Sequence, residues 1–255
     1  MSFDFRHGLL AAAFTLASAT ASAALVFDNI SSPLNSQGGT ITATSSTPNT
    51  FMGDGYVLSA GTTQITGFDL FAYNNTGVNY TGLKLNVYVW GGVNTGTVSA
   101  AAPAFSNLLG SYSFTSSGTF TTGFFYSFED PTNPGATPGI ALNSPLNLSS
   151  NTVGITVNIQ GTTDGVTYTS ANSLTSLITY GTLPTTGSLV FNGYYRNGNN
   201  EVNGNFTSGV RSLGFTNQGV ALRVYGNVTA VPEPSTVLLM GVGVLGLLAW
   251  RRRQA

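Results

Sequence analysis

Hydrophobic and polar residues alternate with a period of two along several stretches of this chain. The clearest case is residues 83–90, where aliphatic side chains occupy the odd positions and larger or polar side chains the even ones. Residues 153–159 and 220–224 repeat the alternation. Because successive side chains of a β-strand point to opposite faces, this pattern predicts strands with one apolar face.

Shorter apolar runs between Gly, Asn, Pro and Ser/Thr clusters predict further strands. These runs are Leu25–Ile30, Tyr56–Leu58, Ile65–Tyr73, Leu109–Phe114, Thr119–Phe128, Ile140–Leu142, Leu189–Tyr195 and Val210–Phe215. Asp164-Gly165 predicts a hairpin turn before Tyr168. Loops are predicted at 128–135 and 192–205, and a helical turn at Ser173–Thr179.

About ten to twelve short strands without helical periodicity predict an all-β fold. We expect an antiparallel two-sheet β-sandwich of the jelly-roll, lectin-like type. A closed barrel is the alternative architecture.

The two ends of the chain depart from the strand pattern. Residues 8–19 form an apolar run, and Ala21-Ser22-Ala23 follows it with the small side chains that signal peptidase prefers. We therefore predict an N-terminal signal peptide over residues 1–23, cleaved before Ala24.

The C-terminal apolar run, residues 235–250, is about 16 residues long and predicts a transmembrane helix of about 24 Å, against a hydrocarbon core of about 30 Å. That length is short for a permanent anchor. Arg251, Arg252 and Arg253 follow it and predict a cytoplasmic end, since positive flanks stay inside. Pro232 and Pro234 keep the preceding segment extended.

This arrangement resembles a PEP-CTERM sorting signal. The resemblance rests on the apolar run, the arginine tail and the motif Val231, Pro232, Glu233, Pro234 and Ser235. It implies a Gram-negative exported protein that exosortase, a transpeptidase-like membrane enzyme, recognises and cleaves near Pro-Glu-Pro. It further implies a transient stay in the inner membrane, followed by the cell surface or the extracellular matrix.

The chain thus divides into a signal peptide (1–23), an exported β-sandwich domain (24–229) and the sorting signal (230–255). On Phe51-Met52-Gly53-Asp54 and Ile65-Thr66-Gly67-Phe68-Asp69-Leu70, the middle part also resembles the carbohydrate-binding or lectin-like sandwiches found upstream of such tails. The two sorting ends, the absence of cysteine and of histidine from the exported domain, and its neutral polar composition lead us to expect a structural or adhesive role with contact to exopolysaccharide.

Composition excludes several classes of function. Charged residues make up 7% of the chain, against about 25% in average proteins. Residues 24–229 hold four bases and seven carboxylates, a net charge of −3, so no basic surface for nucleic acid is expected. The chain has no cysteine, and its single histidine is His7. The exported domain therefore lacks a Ser-His-Asp or Cys-His site and any histidine metal site, and we expect a non-enzymatic protein.

Aromatic residues supply the candidate ligand-binding site. Trp90, Tyr194, Tyr195 and Arg196, with Tyr88, have the flat faces and hydrogen-bonding groups that suit a sugar. The alternative is that Tyr88 and Trp90 line the second face of a core strand, because large aromatic residues are mostly buried.

Carboxylates supply two further candidates. Oxygen ligands suit calcium, although no Asp-x-Asp-x-Asp-Gly loop occurs and Asp54-Gly55 also fits a simple turn. The calcium candidates are Asp54, Glu129 and Asp130, with Asp28 and Asp69. The alternative function is a secreted polysaccharide hydrolase in which two of Glu129, Asp130 and Glu201 lie about 5–9.5 Å apart as acid and base.

Overall fold

The computed structural model describes residues 23–30, 51–171, 174–176, 178–179, 183–191, 193–197, 204–207, 210–212 and 219–229. These residues contain strands and no helix. The strands are β1 Ala24–Asp28, β2 Phe51–Val57, β3 Thr62–Asn74, β4 Tyr80–Val93, β5 Phe105–Phe120, β6 Phe124–Phe128, β7 Ile140–Asn147, β8 Thr152–Thr162, β9 Thr169–Ser170, β10 Leu174–Ser176, β11 Ile178–Thr179, β12 Ser188–Leu189, β13 Tyr194–Asn197, β14 Val210–Ser212, β15 Gly219–Val220 and β16 Leu222–Val228.

Two large antiparallel sheets contain most of these strands. The six-stranded sheet has the order β1–β16–β3–β10, with β6 and β7 also paired to β3. The eight-stranded sheet has the order β14–β13–β2–β8–β4–β5, with β12 on β2 and β9 on β8. Strands β11 and β15 form a separate pair. The prediction of an all-β, antiparallel fold is confirmed.

The main core draws on the inner faces of both large sheets, as in a β-sandwich. Leu83, Leu85, Val87 and Val89, the aliphatic row of β4, are all buried in this core. The six-stranded sheet contributes side chains such as Phe68. The period-two pattern therefore identified the inner face of the central strand correctly.

Several sequence-based expectations differ from the structure. The predicted strand Thr119–Phe128 is divided between the end of β5 and β6, and the predicted strand Leu189–Tyr195 is divided between β12 and β13. Ser173–Thr179, predicted as a helical turn, instead contains β10 and β11, which pair with β3 and β15. These strands have three and two residues. The predicted strand Leu109–Phe114 extends to β5, of 16 residues. Pairing with distant strands decided the structure of β10 and β11, whereas β5 is lengthened by its pairing with the preceding strand β4.

The ends of the described domain lie side by side. Strand β1 begins at Ala24, the first residue after the predicted cleavage site, and Ala24 pairs with Gly226 of β16. Strand β16 ends at Val228, just before the segment that resembles a sorting signal. No helix within the described residues is long and apolar enough to cross a bilayer.

Candidate functional site

Of the aromatic candidates for sugar binding, Trp90, Tyr194 and Tyr195 lie in the protein interior, and Tyr88 is half-buried and packs on Phe51. Trp90 is 4% exposed, and its indole Nε1 donates a hydrogen bond to Thr156 Oγ1 at 3.1 Å. Tyr194 and Tyr195 are each 3% exposed and belong to different clusters, Tyr194 to the main core and Tyr195 to a second one. Arg196 lies in β13 beside Met52 of β2, and its side chain is outside the described part. The expected aromatic platform is therefore not an exposed surface.

The second cluster covers the outer face of the eight-stranded sheet, and we call it the outer cluster. Its buried members are Phe51, Trp90, Ala104, Phe105, Phe191, Tyr195 and Phe206. Segment 204–207 closes it, since Ala104 and Phe105 N–H donate to the carbonyls of Phe206 and Asn205 at 3.1 Å each. This outer layer explains the burial of Trp90, which belongs to the core as the alternative interpretation held.

Two local backbone features fix the rings of the outer cluster in place. The ring of Phe105 lies directly on the β8 backbone, where a Cβ at Gly154 would be 2.3 Å from Phe105 Cδ1, so only glycine fits there. Phe206 adopts a φ of 52° although it is bulky and fully buried. Such a conformation costs about 1–3 kcal/mol and persists only where its surroundings impose it. The ring contacts of Phe206 with Phe105 and Tyr195, at 5.9 and 5.6 Å, supply that constraint.

The calcium candidates of the predicted set do not come together as one site. Asp54 lies buried in β2, where its Oδ1 accepts the Gly55 N–H at 2.7 Å. Asp130 accepts the Thr132 N–H at 2.8 Å and the Thr137 hydroxyl within its own loop. These bonds, the Thr137 bond foremost, lower the pKa of Asp130. No group of three His, Cys, Asp or Glu side chains suited to a metal ion occurs among the residues that the structure describes.

Three carboxylates of the calcium candidate set, Asp28, Asp69 and Glu129, converge on one arginine instead. Arg223 of β16 pairs through Nε with Asp28 Oδ2 at 3.3 Å and through Nη1 with Asp69 Oδ2 at 3.3 Å. Its Nη1 also contacts Glu129 Oε1. We call Arg223, Asp28, Asp69 and Glu129 the arginine cluster. It joins β1, β16 and β3 to the start of the loop between β6 and β7, so its evident role is to hold these elements together.

Asp69 is the most enclosed carboxylate of the arginine cluster. Its Oδ2 accepts the Tyr225 hydroxyl at 2.6 Å, and its Oδ1 accepts the Gly139 N–H at 2.7 Å. Burial raises the pKa of Asp69, although the bonds from Gly139, Tyr225 and Arg223 oppose that change. Burial also raises the pKa of Tyr225, and its bond to Asp69 adds to this. For Arg223, burial lowers the pKa, but the carboxylates outweigh it and the pKa is raised.

The structure describes two of the three carboxylates considered for hydrolysis, and both have other partners. Glu129 is held by Arg223, and Asp130 is bound within the β6–β7 loop. Glu201 lies outside the described residues. The ion pair with Arg223 places Glu129 in the arginine cluster, which suits a structural role.

The sandwich has an open side where the edge strand β5 faces β6 and β7. Two clefts of about 460 Å³ each run along it, and both are lined by Phe114 and Ala141. We call them together the open-side groove. Tyr112, Phe114 and Leu142 form its apolar floor and pack partly buried against the main core. Ser116, on the same face of β5 as these rings, lines it together with the exposed Asn143 and Ser144, and Glu129 lines one end.

Sequence reasoning did not single out the open-side groove. The signal was present in residues 111–115, where Ser or Thr alternates with Tyr and Phe. Such alternation places hydroxyls on one face and aromatic rings on the other. The rings of Tyr112 and Phe114 stack with an interplanar angle of 15° and a centroid distance of 6.4 Å.

The predicted processing residues fall mostly outside the described part of the chain. Ala21 precedes it, Ala23 is exposed, and Ala24 opens β1. Val231, Pro232, Glu233, Pro234, Ser235, Arg251, Arg252 and Arg253 all follow its last residue. Their placement therefore plays no part in the geometry described above.

Comparison with known protein families matches residues 230–253 to the PEP-CTERM protein-sorting motif. The chain thus contains a PEP-CTERM sorting motif at its C-terminal end, as the residue pattern indicated. No curated protein and no solved structure matches the chain.

Proposed function

We propose that this protein is an exosortase substrate that acts at the cell surface or in the extracellular matrix. Its β-sandwich, of jelly-roll and lectin-like type, has a structural or adhesive role there and contacts exopolysaccharide. The observation that carries this proposal is the sorting motif at residues 230–253, directly behind the last strand β16.

The proposed route uses both ends of the chain. Signal peptidase removes residues 1–23, the apolar segment with Arg251, Arg252 and Arg253 holds the protein briefly in the inner membrane, and exosortase then cuts near Pro232–Pro234. The pairing of Ala24 with Gly226 supports this order of events. Both cuts fall outside the paired strands β1 and β16, so neither removes a hydrogen-bonded residue of the sheet.

The open-side groove is the surface that suits a polysaccharide best. Ligand clefts combine an apolar or aromatic floor with a few polar groups that fix orientation. Tyr112 and Phe114 offer ring edges and faces for the apolar side of a sugar, and Ser116 and Asn143 offer hydroxyl and amide partners. The scarcity of charge along the groove favours a polymer whose recognition depends on hydroxyl groups.

Localisation and mass of the protein in its native host test the sorting route. We expect an intact mass that starts at Ala24 and lacks Arg251–Arg253 in a strain with exosortase. Deleting exosortase, or changing Pro232 and Pro234 to Ala, should leave the C-terminal arginines attached at the membrane. A surface protein that retains Arg251–Arg253 in the exosortase-positive strain would contradict the route.

The alternative is a secreted polysaccharide hydrolase, and the position of Glu129 at one end of the groove is the observation in its favour. The host exopolysaccharide distinguishes the two proposals. Binding without release of reducing ends supports the adhesive role. Turnover that is lost in Glu129→Gln supports the hydrolase.

We propose that the domain works without a cofactor. The calcium hypothesis for Asp54, Glu129 and Asp130 is open to a direct test, because calcium that binds the folded state raises the unfolding midpoint. We expect the same thermal midpoint in millimolar calcium and in EDTA. A midpoint that rises with calcium, and no longer rises in Asp130→Asn, would establish a calcium site.

A further inference from the structure

Strand β5 ends the eight-stranded sheet with an unusual edge. Within the residues that the structure describes, β5 pairs with β4 alone, so one side of its backbone has no strand beside it. It is 16 residues long. An edge strand presents a row of N–H and C=O groups that another strand can pair with.

The central part of β5 lacks the usual protections of an edge strand. Residues 105–120 include no charged side chain and no proline. Natural edges carry charges, prolines or bulges, or are short. The other edge strands have these features: β10 and β14 have three residues each, β9 and β12 have two, β1 has five residues and a register shift, β6 has five residues and β7 contains Pro145. Strand β5 is therefore the edge best suited to pair with another strand.

The part of β5 that is suited to pairing with another strand is a regular stretch of eight residues. Gly110–Ser117 pairs with Gly82–Val89 of β4 without a register shift. Irregularities mark both ends, between Val89 and Trp90 and between Tyr80 and Gly82 of β4. At about 3.4 Å per residue, these eight residues give an edge of about 27 Å.

The run is self-complementary. Antiparallel pairing with a second copy about a two-fold axis at Ser113 places Tyr112 opposite Phe114 of the second copy. It also places Ser111 opposite Thr115 of the second copy, and Ser113 opposite itself. Each pair points to one face of the sheet, as residues opposite one another in a β-sheet must. Aromatic pairs and hydroxyl pairs of this kind stabilise adjacent strands.

We propose that β5 is a self-association edge, through which two copies of this chain join their eight-stranded sheets antiparallel about Ser113. The neutral edge brings no like charges together. Lys84 lies one strand inward, opposite Thr115, so the two Lys84 side chains are at least about 14 Å apart across the joint. That separation exceeds the screening length of about 8 Å in physiological salt. The proposal does not depend on a ligand in the groove.

Single cysteines test the proposal directly, because the chain has no cysteine of its own. The full chain in non-ionic detergent is prepared as Ser113→Cys and, as a matched control in the same exposed row, as Ser117→Cys. The two-fold axis brings the two thiols of the Ser113→Cys variant together, whereas position 117 is separated from its counterpart by about 27 Å. A disulfide requires Cα atoms within about 7 Å.

Under mild oxidation we expect on the order of tenfold more disulfide-linked dimer from Ser113→Cys than from Ser117→Cys. Mixing Ser111→Cys with Thr115→Cys should also yield the mixed dimer. Unmodified chain should show a dimer in light scattering that Ser113→Lys shifts to monomer, while Ser188→Lys on β12 leaves it unchanged. Equal cross-linking at 113 and 117, or a dimer indifferent to Ser113→Lys, would overturn the proposal.

Discussion

The outer cluster and the open-side groove contain the same kinds of aromatic side chain and differ in what lies over them. Trp90 and Tyr195 are sealed beneath segment 204–207 and its neighbours, whereas Tyr112 and Phe114 are only partly buried beside serines and threonines. An aromatic residue therefore becomes available for binding through the absence of a second layer of chain. The comparison predicts that the outer cluster stabilises the fold and the groove binds the ligand.

Removing the central ring of the outer cluster should produce the largest effect on stability. Trp90→Ala deletes a side chain that is 4% exposed, together with its bond to Thr156, and should lower the free energy of unfolding by about 4 kcal/mol. Urea unfolding measures this loss. Tyr112→Ala, in the partly buried groove, should cost less than half as much. Equal losses for the two variants would remove the distinction between the regions.

Breaking the arginine cluster, which is also largely buried, should have the next largest effect on stability. Arg223→Met leaves the carboxylates of Asp28, Asp69 and Glu129 without their shared cation. We expect a loss of about 3 kcal/mol, the low end for removing one partner of a buried ion pair, because Arg223 keeps 12% of its side-chain surface exposed.

The pH dependence of Arg223→Met separates this ionic cause from simple loss of packing. Burial already raises the pKa of Asp69, and loss of the opposing arginine raises it further, so the deficit relative to the parent should shrink as the pH falls from 7 towards 4. Lys84→Met is the control, and its stability should lie within about 0.5 kcal/mol of the parent. A deficit that is constant across this pH range would contradict the ionic explanation.

The groove should account for ligand affinity. The double variant Tyr112→Ala/Phe114→Ala should weaken binding to the host exopolysaccharide about tenfold, since each ring contact contributes about 0.5–1.5 kcal/mol. Phe125→Ala is the matched control, because this ring is 48% exposed and stacks on Tyr73 away from the groove. Comparable losses in both variants would mean that aromatic exposure alone decides binding.

The smallest effect concerns the exposed hairpin turn at Asp164, which belongs to neither region. Bonds from the Thr162 hydroxyl and from the Thr167 and Val166 N–H groups lower the pKa of Asp164 below its value in the unfolded chain. Its stabilising contribution is thus present above about pH 4 and is lost as the pH falls. Asp164→Asn should reduce the acid sensitivity of the thermal midpoint slightly. An unchanged midpoint profile would show that the turn does not contribute.

Strands such as β4 could be predicted because the alternation of side chains that specifies them is visible within a few neighbouring residues. In residues 83–90 the two faces of β4 differ in side-chain type, and the aliphatic face is indeed the inner one. The same alternation could not show whether Trp90 on the opposite face is covered. The side chains that cover Trp90 include Phe191 and Phe206, which lie more than a hundred residues after it in the sequence.

The ion pairs could not be predicted for the same physical reason, because their partners lie far apart in the sequence. Asp28, Asp69 and Glu129 were considered as calcium ligands, and the sequence contained no sign that Arg223 would meet all three. Only the pairing of β1 and β3 with β16 brings Asp28 and Asp69 beside Arg223. The short strands β10 and β11 likewise depend on distant partners, which local periodicity does not reveal.

We propose that the open-side groove, and not the outer cluster, is the surface through which this protein binds its ligand. Hydroxyl-radical footprinting of the protein with and without its host exopolysaccharide tests that claim most directly. We expect protection on binding at Tyr112, Phe114 and Leu142, with no change at Trp90 or Tyr195. Protection confined to Trp90 and Tyr195, with the groove residues unaffected, would contradict it.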